Sequence, residues 1–264
     1  MTTRLLRVRA PWGQENESMA MNQEVRMERM LPHQIEAAMR AKSLIYIPLG
    51  AIEYHGLHLP IGLDSLTSHG LCLRVAQEIG GMVMPPLYYG MTGSIGHHPW
   101  TILVESETEF NALLRTTLRR LQDFGVDQAV IFTGHFGRRQ LAALDLLEQQ
   151  WKDENHTMGL RCLSINRCAE AKLTGDHGAI FETSVLAQLH PELVQLDRLP
   201  SQETAPADDP DGNSWGEHRR DPANVLFGIL GDDPRDYDAP QAEELLETLV
   251  RWFAAEVENS YLTP

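Results

Sequence analysis

The chain has 264 residues, of which 42% are hydrophobic and 22% charged, with a formal net charge of −15. That length buries a sizeable core and fits one large domain or two small ones. The acidic balance argues against general nucleic-acid binding, because phosphate neutralisation needs clustered Lys and Arg, and no apolar run approaches the length of a membrane span.

Residues 1–25 read as a polar N-terminal extension: they begin basic but lack the apolar core of a signal peptide. A single domain is expected over 26–264. The run "LIYIP" (44–48) is the first predicted strand, and "SHGLCLRVAQEIGG" from residue 68 is a helix stopped by a Gly pair. "MVMPPLYYG" (82–90) is a second strand. In "ETEFNALLRTTLRRLQDFG" (107–125), Phe110, Leu113, Leu114, Leu118 and Leu121 recur on a 3.6-residue period and predict a helix. "AVIFTG" (129–134) and "LRCLSI" (160–165) are strands, separated by the helical "RRQLAALDLLEQQWK" (138–152). A further helix is expected near "ETSVLAQL" (182–189), and "PQAEELLETLVRWFAAEV" closes the chain as a helix. Between them, 201–222 is rich in Pro, Asp and Gly and reads as a long loop or flap. Strands alternating with helices predict an α/β sheet covered by helices on both faces. Cys72, Cys162 and Cys168 form no disulfide framework or Cys-type zinc site, and are expected as reduced thiols in a cytoplasmic protein.

In open α/β sheets ligands bind beyond the carboxyl ends of the strands. The polar residues that follow three of the predicted strands therefore face one crevice. After the first come Glu53, His55, His58 and Asp64; Glu53 and His55, two apart, point to the same side of an extended segment. The third strand runs into "TGHFGRRQ" and places His135 at its end, and "GDHGAIFETS" brings Asp176, His177 and Glu182. Singly, each has an ordinary use. Asp64 would cap a helix near Thr67, Glu182 would sit in a first helical turn, and "GDHG" would be a turn. Together, imidazoles and carboxylates suit Zn²⁺, Mn²⁺ or Fe²⁺, and a carboxylate shared by two ions is the usual dinuclear hydrolytic arrangement.

Three stretches carry a resemblance. "PLGAIEYHGLHLPIGLD" is similar to the creatininase-family (creatinine amidohydrolase-like) signature P-x-G-S-x-E-Q-H-G-P-H-L-P-x-x-T-D, "TGHFG" resembles its N-G-H-G-G-N, and "DHGAIFETS" its H-A-G-x-x-E-T-S. "PPLYYGMTGSIGHHPWT" resembles the segment leading to F-P-G-T. The resemblance implies a three-layer αβα sandwich with a mostly parallel central sheet and two divalent ions (Zn, Mn or Fe) per subunit. By position, Glu53 and His135 would hold one ion, His55 the other, and Asp64 would bridge them. The family's Glu two residues after the second-motif His is Gly137 here, so Glu182 is the candidate for the missing ligand. His177 would be the catalytic acid/base beside Glu182. Tyr54 stands for the family's Gln, Leu57 for its Pro, Arg138 for its Asn and Leu173 for a Trp that encloses creatinine. These departures argue against creatinine as the substrate.

The expected reaction is attack by a metal-bridging hydroxide on a small cyclic amide or formamide, cleaving a non-peptide C–N bond. Tyr54, His98, Arg138 and Asp176 are the candidate pocket residues. A lactone or sugar-ring hydrolase using the same site, or a non-catalytic metal-binding subunit, stays open as an alternative. The family resemblance also implies a homohexamer acting on a small molecule, with neither nucleic acid nor membrane as partner.

Overall fold

The structure is a computed structural model and describes residues 24–93, 95, 97–207 and 214–261. The expected extension lies outside the described residues apart from Glu24 and Val25. Val25 is buried, and its carbonyl accepts the Val83 amide at 2.8 Å, so the packed part of the chain includes it.

Four parallel strands form the central sheet in the order β2-β1-β3-β4. They are β1 (Leu44–Leu49), β2 (Met82–Val83), β3 (Gln128–Thr133) and β4 (Gly159–Ser164). Every residue of β1 and β3 is buried, as expected of strands covered on both faces. Their side chains divide by the two-residue period of a strand. Leu44, Tyr46, Val130 and Phe132 enter one cluster with α2 (Leu63–Ile79), α5 (Ile180–Leu189) and α6 (Ala239–Tyr261). Ile45, Ile47, Leu49, Ala129 and Ile131 enter the other with α3 (Glu107–Phe124) and α4 (Arg138–Asp153). The result is the expected three-layer αβα arrangement. Phe253 of α6 stacks on Phe132 at 4.1 Å and meets Tyr46 edge-on at 5.9 Å, which seals the first face.

Local differences from the sequence reading have clear causes. β2 is only two residues long, because Pro85 and Pro86 cannot extend a ladder; beyond them the chain touches β1 through a single Leu49–Leu87 bridge. Helix α1 (Pro32–Ala41), absent from the sequence reading, starts with Pro at its first position, where the missing N–H costs nothing. It lays Ile35, Ala38 and Met39 on the α3/α4 side. Leu113 is 40% exposed, off the buried stripe of α3 formed by Phe110, Leu114, Leu118 and Leu121. Helix α2 starts at Leu63, five residues before the expected Ser68, so Asp64 lies in its first turn rather than ahead of a cap near Thr67. Among the described residues no helix is long and apolar enough to cross a membrane.

The topology explains where a site forms. From β1 the chain passes to α2 on one face, and from β3 to α4 on the other, so the adjacent carboxyl ends of β1 and β3 flank a crevice. The first turn of α2 closes on that crevice: a Cβ at Gly134 would fall on the carbonyl of Asp64. Gly134→Ala is therefore expected to push α2 away from β3 at a cost of about 1–3 kcal/mol. A thermal melt should shift down by several degrees, and an unchanged melting temperature would show that the contact is not tight.

Candidate metal centre

Six ionisable side chains from three chain regions converge beyond β1 and β3. Glu53 and His55 come from the extended segment after β1, Asp64 from the first turn of α2, and His135 from the end of β3. His177 precedes α5, and Glu182 lies in its first turn. None is more than 8% exposed. Burying three carboxylates and three imidazoles is costly unless they pair with one another or with an ion.

Backbone carbonyls set the tautomers of two imidazoles. The carbonyl of Glu53 lies 2.9 Å from His55 Nδ1, and that of Thr92 lies 2.6 Å from His135 Nε2. A carbonyl only accepts, so these nitrogens carry the protons. The opposite nitrogens then face carboxylates. His55 Nε2 is 3.3 Å from Asp64 Oδ1 and 3.6 Å from Glu182 Oε2. His135 Nδ1 is 3.1 Å from Asp64 Oδ2 and 3.2 Å from Glu53 Oε2. A neutral imidazole has no second proton to give, so lone pairs face lone pairs unless each ring is charged or a cation lies between. Glu53 Oε2, His55 Nε2 and Asp64 Oδ1 are buried without a hydrogen-bond partner. The ligand atoms of Glu53, Asp64 and His135 lie within 4.8 Å of one another, and so do those of His55, Asp64 and Glu182. Two triads that share one carboxylate, with acceptor atoms turned inward, fit divalent cations by both charge and donor type.

Without a cation the centre is a set of ion pairs. Burial opposes charge on His55, but the Asp64 and Glu182 carboxylates outweigh it and carry its pKa up to about 10. Burial likewise opposes charge on His135, and the Asp64 and Glu53 carboxylates beside it raise its pKa well above the ordinary value. Burial works against ionisation of Asp64 and Glu53, yet His55 and His135 hold the Asp64 carboxyl below its usual range. Glu53 falls to about 2 through His177 and His135. Glu182 is raised, first by burial.

The remaining candidates divide. Tyr54 and His98 stack at 4.0 Å and line a cavity of about 320 Å³ that meets the centre's chain segment at Tyr54. Arg138 is exposed in the first turn of α4 and is not among the residues lining that cavity. Asp176 also differs from its expected pocket role. Its carboxylate accepts the amides of Phe181 at 2.7 Å and Glu182 at 3.3 Å, so it anchors the start of α5 where those N–H groups lack helical partners. Leu173, at the position of the creatinine-enclosing Trp, packs against the α2/α5/α6 cluster.

Three contributors escaped the sequence reading. Thr92 supplies the carbonyl that orients His135, from a left-handed φ of +48° that is unusual for a β-branched residue. Its closeness explains Gly137: a Cβ there would lie 2.5 Å from the Thr92 oxygen, so no ligand side chain fits at that position. Thr183 Oγ1 lies 3.0 Å from Nε2 of the buried His58 and ties that residue to the helix carrying Glu182. Phe227 completes the aromatic wall around Tyr54. Thr92 and Thr183 lie within motif stretches, but the contact each makes is defined by what folds against it.

A family model described as "Creatininase: Creatinine amidohydrolase" matches residues 28–257. A creatinine amidohydrolase of Pseudomonas putida is 29% identical over 59% of this chain and 68% of its own length. A mycofactocin precursor peptide peptidase of Mycobacterium ulcerans is 29% identical over 79% of this chain and 85% of its own. A crystal structure of creatininase superposes with a TM-score of 0.74 at 24% identity, covering 92% of this chain and 100% of the other, which supports the fold.

Two measurements probe the centre. With a metal-free pKa of about 10, His55 is charged at pH 7, and the carboxylates beside His135 raise its pKa in the same direction; a charged ring must lose its proton to become a ligand. Metal loading should therefore release protons, and affinity should rise with pH. Calorimetry in two buffers of different ionisation heat checks this, and the absence of proton release would remove the imidazoles from the ligand set. Thr183→Val, which keeps shape but loses the hydroxyl, should weaken metal binding by roughly 10- to 100-fold, read by competition with a chromogenic chelator.

Proposed function

The chain belongs to the creatininase family of hydrolases acting on carbon–nitrogen bonds, and from that premise we propose a metal-dependent amidohydrolase that opens a small cyclic amide or formamide. Glu53, Asp64 and His135 would hold one divalent ion, and His55, Asp64 and Glu182 a second, with Zn²⁺, Mn²⁺ or Fe²⁺ as the candidates. Bound there, such ions lower the pKa of a water and polarise a substrate carbonyl. The observation that carries the reading is the Asp64 carboxylate, set between two imidazoles whose other nitrogens are engaged by backbone carbonyls.

His177 has the proton-transfer role. Burial drives its pKa down to about 4 against the pull of Glu53, so the ring is neutral at physiological pH. Its Nε2–H donates to the Tyr54 carbonyl at 3.0 Å, which leaves Nδ1 as the basic nitrogen. That nitrogen can take a proton from the attacking water and pass it to the departing nitrogen, whose expulsion as an anion is otherwise prohibitive. Asp176, buried on the α5 amides, takes no proton in this scheme. Leu173 in place of an enclosing aromatic disfavours creatinine itself.

The peptidase relative supports a second reading, in which the amide belongs to a short peptide. A homohexamer and a cytoplasmic location are part of the proposal. Exposed Tyr89, Trp100 and Ile102 offer apolar surface for assembly, and light scattering tests it.

Elemental analysis of protein purified without chelator should find divalent metal, lost in Asp64→Ala and His135→Ala; metal-free wild type would refute the centre. His177→Ala should keep its metal and lose about 10²- to 10⁴-fold in kcat on amides. Its loss on lactones should be smaller, because an alkoxide leaves more readily. A panel of cyclic amides, formamides, short peptides and lactones separates the substrate classes.

A further inference from the structure

The cavity beside the metal centre has a distinct chemistry. Its wall includes Tyr54, Leu57, His98, Asn224, Val225 and Phe227, and among the described residues no Lys, Arg, Asp or Glu lines it. Three rings are packed together there: Tyr54 stacks with His98 at 14° and with Phe227 at 24°, while His98 and Phe227 are tilted by 32°. The centroid separations are 4.0, 5.5 and 5.8 Å. Were Tyr54 sandwiched between the other two, His98 and Phe227 would be separated by nearly the sum of the first two distances. Their actual separation closes a triangle instead, so both rings tile the same side of Tyr54. His97 extends the array, its ring 5.9 Å from Phe227. Leu57 and Val225, each more than half exposed, form an apolar rim.

The link to the centre is covalent and short. Tyr54 lies between Glu53 and His55, and its carbonyl holds His177. Tyr54 thus joins the cavity wall to the centre, by its ring on one side and by its backbone contact with His177 on the other. A volume of about 320 Å³ is at the small end of ligand sites and suits one ring with a short substituent.

We propose that this aromatic tile is a substrate subsite, and that it takes the non-reacting part of the substrate as an uncharged planar group, an aromatic ring or a flat heterocycle. Parallel π faces favour an offset-stacked planar guest over a puckered ring of equal size. A wall without ionised side chains disfavours a carboxylate, which would lose hydration without gaining a partner. The assignment rests on the amidohydrolase reading, since it makes the tile the neighbour of the reacting amide.

The test uses benzamide, cyclohexanecarboxamide and benzoate as probes of the metal-loaded protein, with dissociation constants from ligand-observed NMR. Benzamide should bind up to about tenfold tighter than either of the others. Phe227→Ala should erase that preference while metal content stays at the wild-type level. His98→Ala, altering a half-buried ring, serves as the second variant should Phe227→Ala fail to fold. Equal binding of all three probes, no binding at all, or a preference that survives the variants would overturn the subsite. Metal-free wild-type protein would instead count against the amidohydrolase reading, so the two failures are distinct.

Discussion

The carboxylate of Asp64 is the point on which the centre turns. One of its oxygens faces His55 and the other His135. It reaches that place because α2 begins early and presses its first turn against the ends of β1 and β3. The positive end of a helix dipole is a favourable environment for a carboxylate, and the glycine at 134 allows the approach. The sheet supplies the rest: β1 and β3 are adjacent and parallel, and they hand the chain to helices on opposite faces. The segments leaving them must diverge, and polar side chains can gather in the gap without disturbing either apolar cluster.

The imidazoles are aimed by backbone rather than by other side chains. Each has one nitrogen engaged by a carbonyl and presents the other inward. The cost of this arrangement is visible at Thr92, a β-branched residue at positive φ. The same carbonyl that orients His135 leaves no room for a side chain at Gly137. A side chain at position 137 and a Thr92 carbonyl on His135 are mutually exclusive. Asp176 and the His58–Thr183 pair both bear on the start of α5, so groups that touch neither triad's inward atoms still govern where Glu182 stands.

The relatives and the geometry divide the functional question. Family membership assigns hydrolysis of carbon–nitrogen bonds, and the clustered carboxylates and imidazoles suit a divalent metal ion. The wall around Tyr54 is where this chain departs from the family pattern. The surface there is aromatic and carries no ionised side chain among its lining residues.

Much of this was legible before folding was considered. Strand and helix alternation specified the layers, because a strand buried on both faces must be uniformly apolar and the flanking helices must each show one apolar stripe. That Glu53, His55, Asp64, His135 and Glu182 would meet was legible because they follow strands that end at one edge; the part each would play as a ligand came from the family resemblance. Arg138 and Asp176 were misplaced by the same reasoning. Nearness in sequence to a ligand does not say which way a side chain points, and the first went to solvent while the second turned to the amides of α5. Thr92, Thr183 and Phe227 lie far along the chain from the groups they touch. Tertiary structure alone decided them, because hydrogen-bond geometry, ring stacking and the space left for a Cβ arise only when separate segments are pressed together.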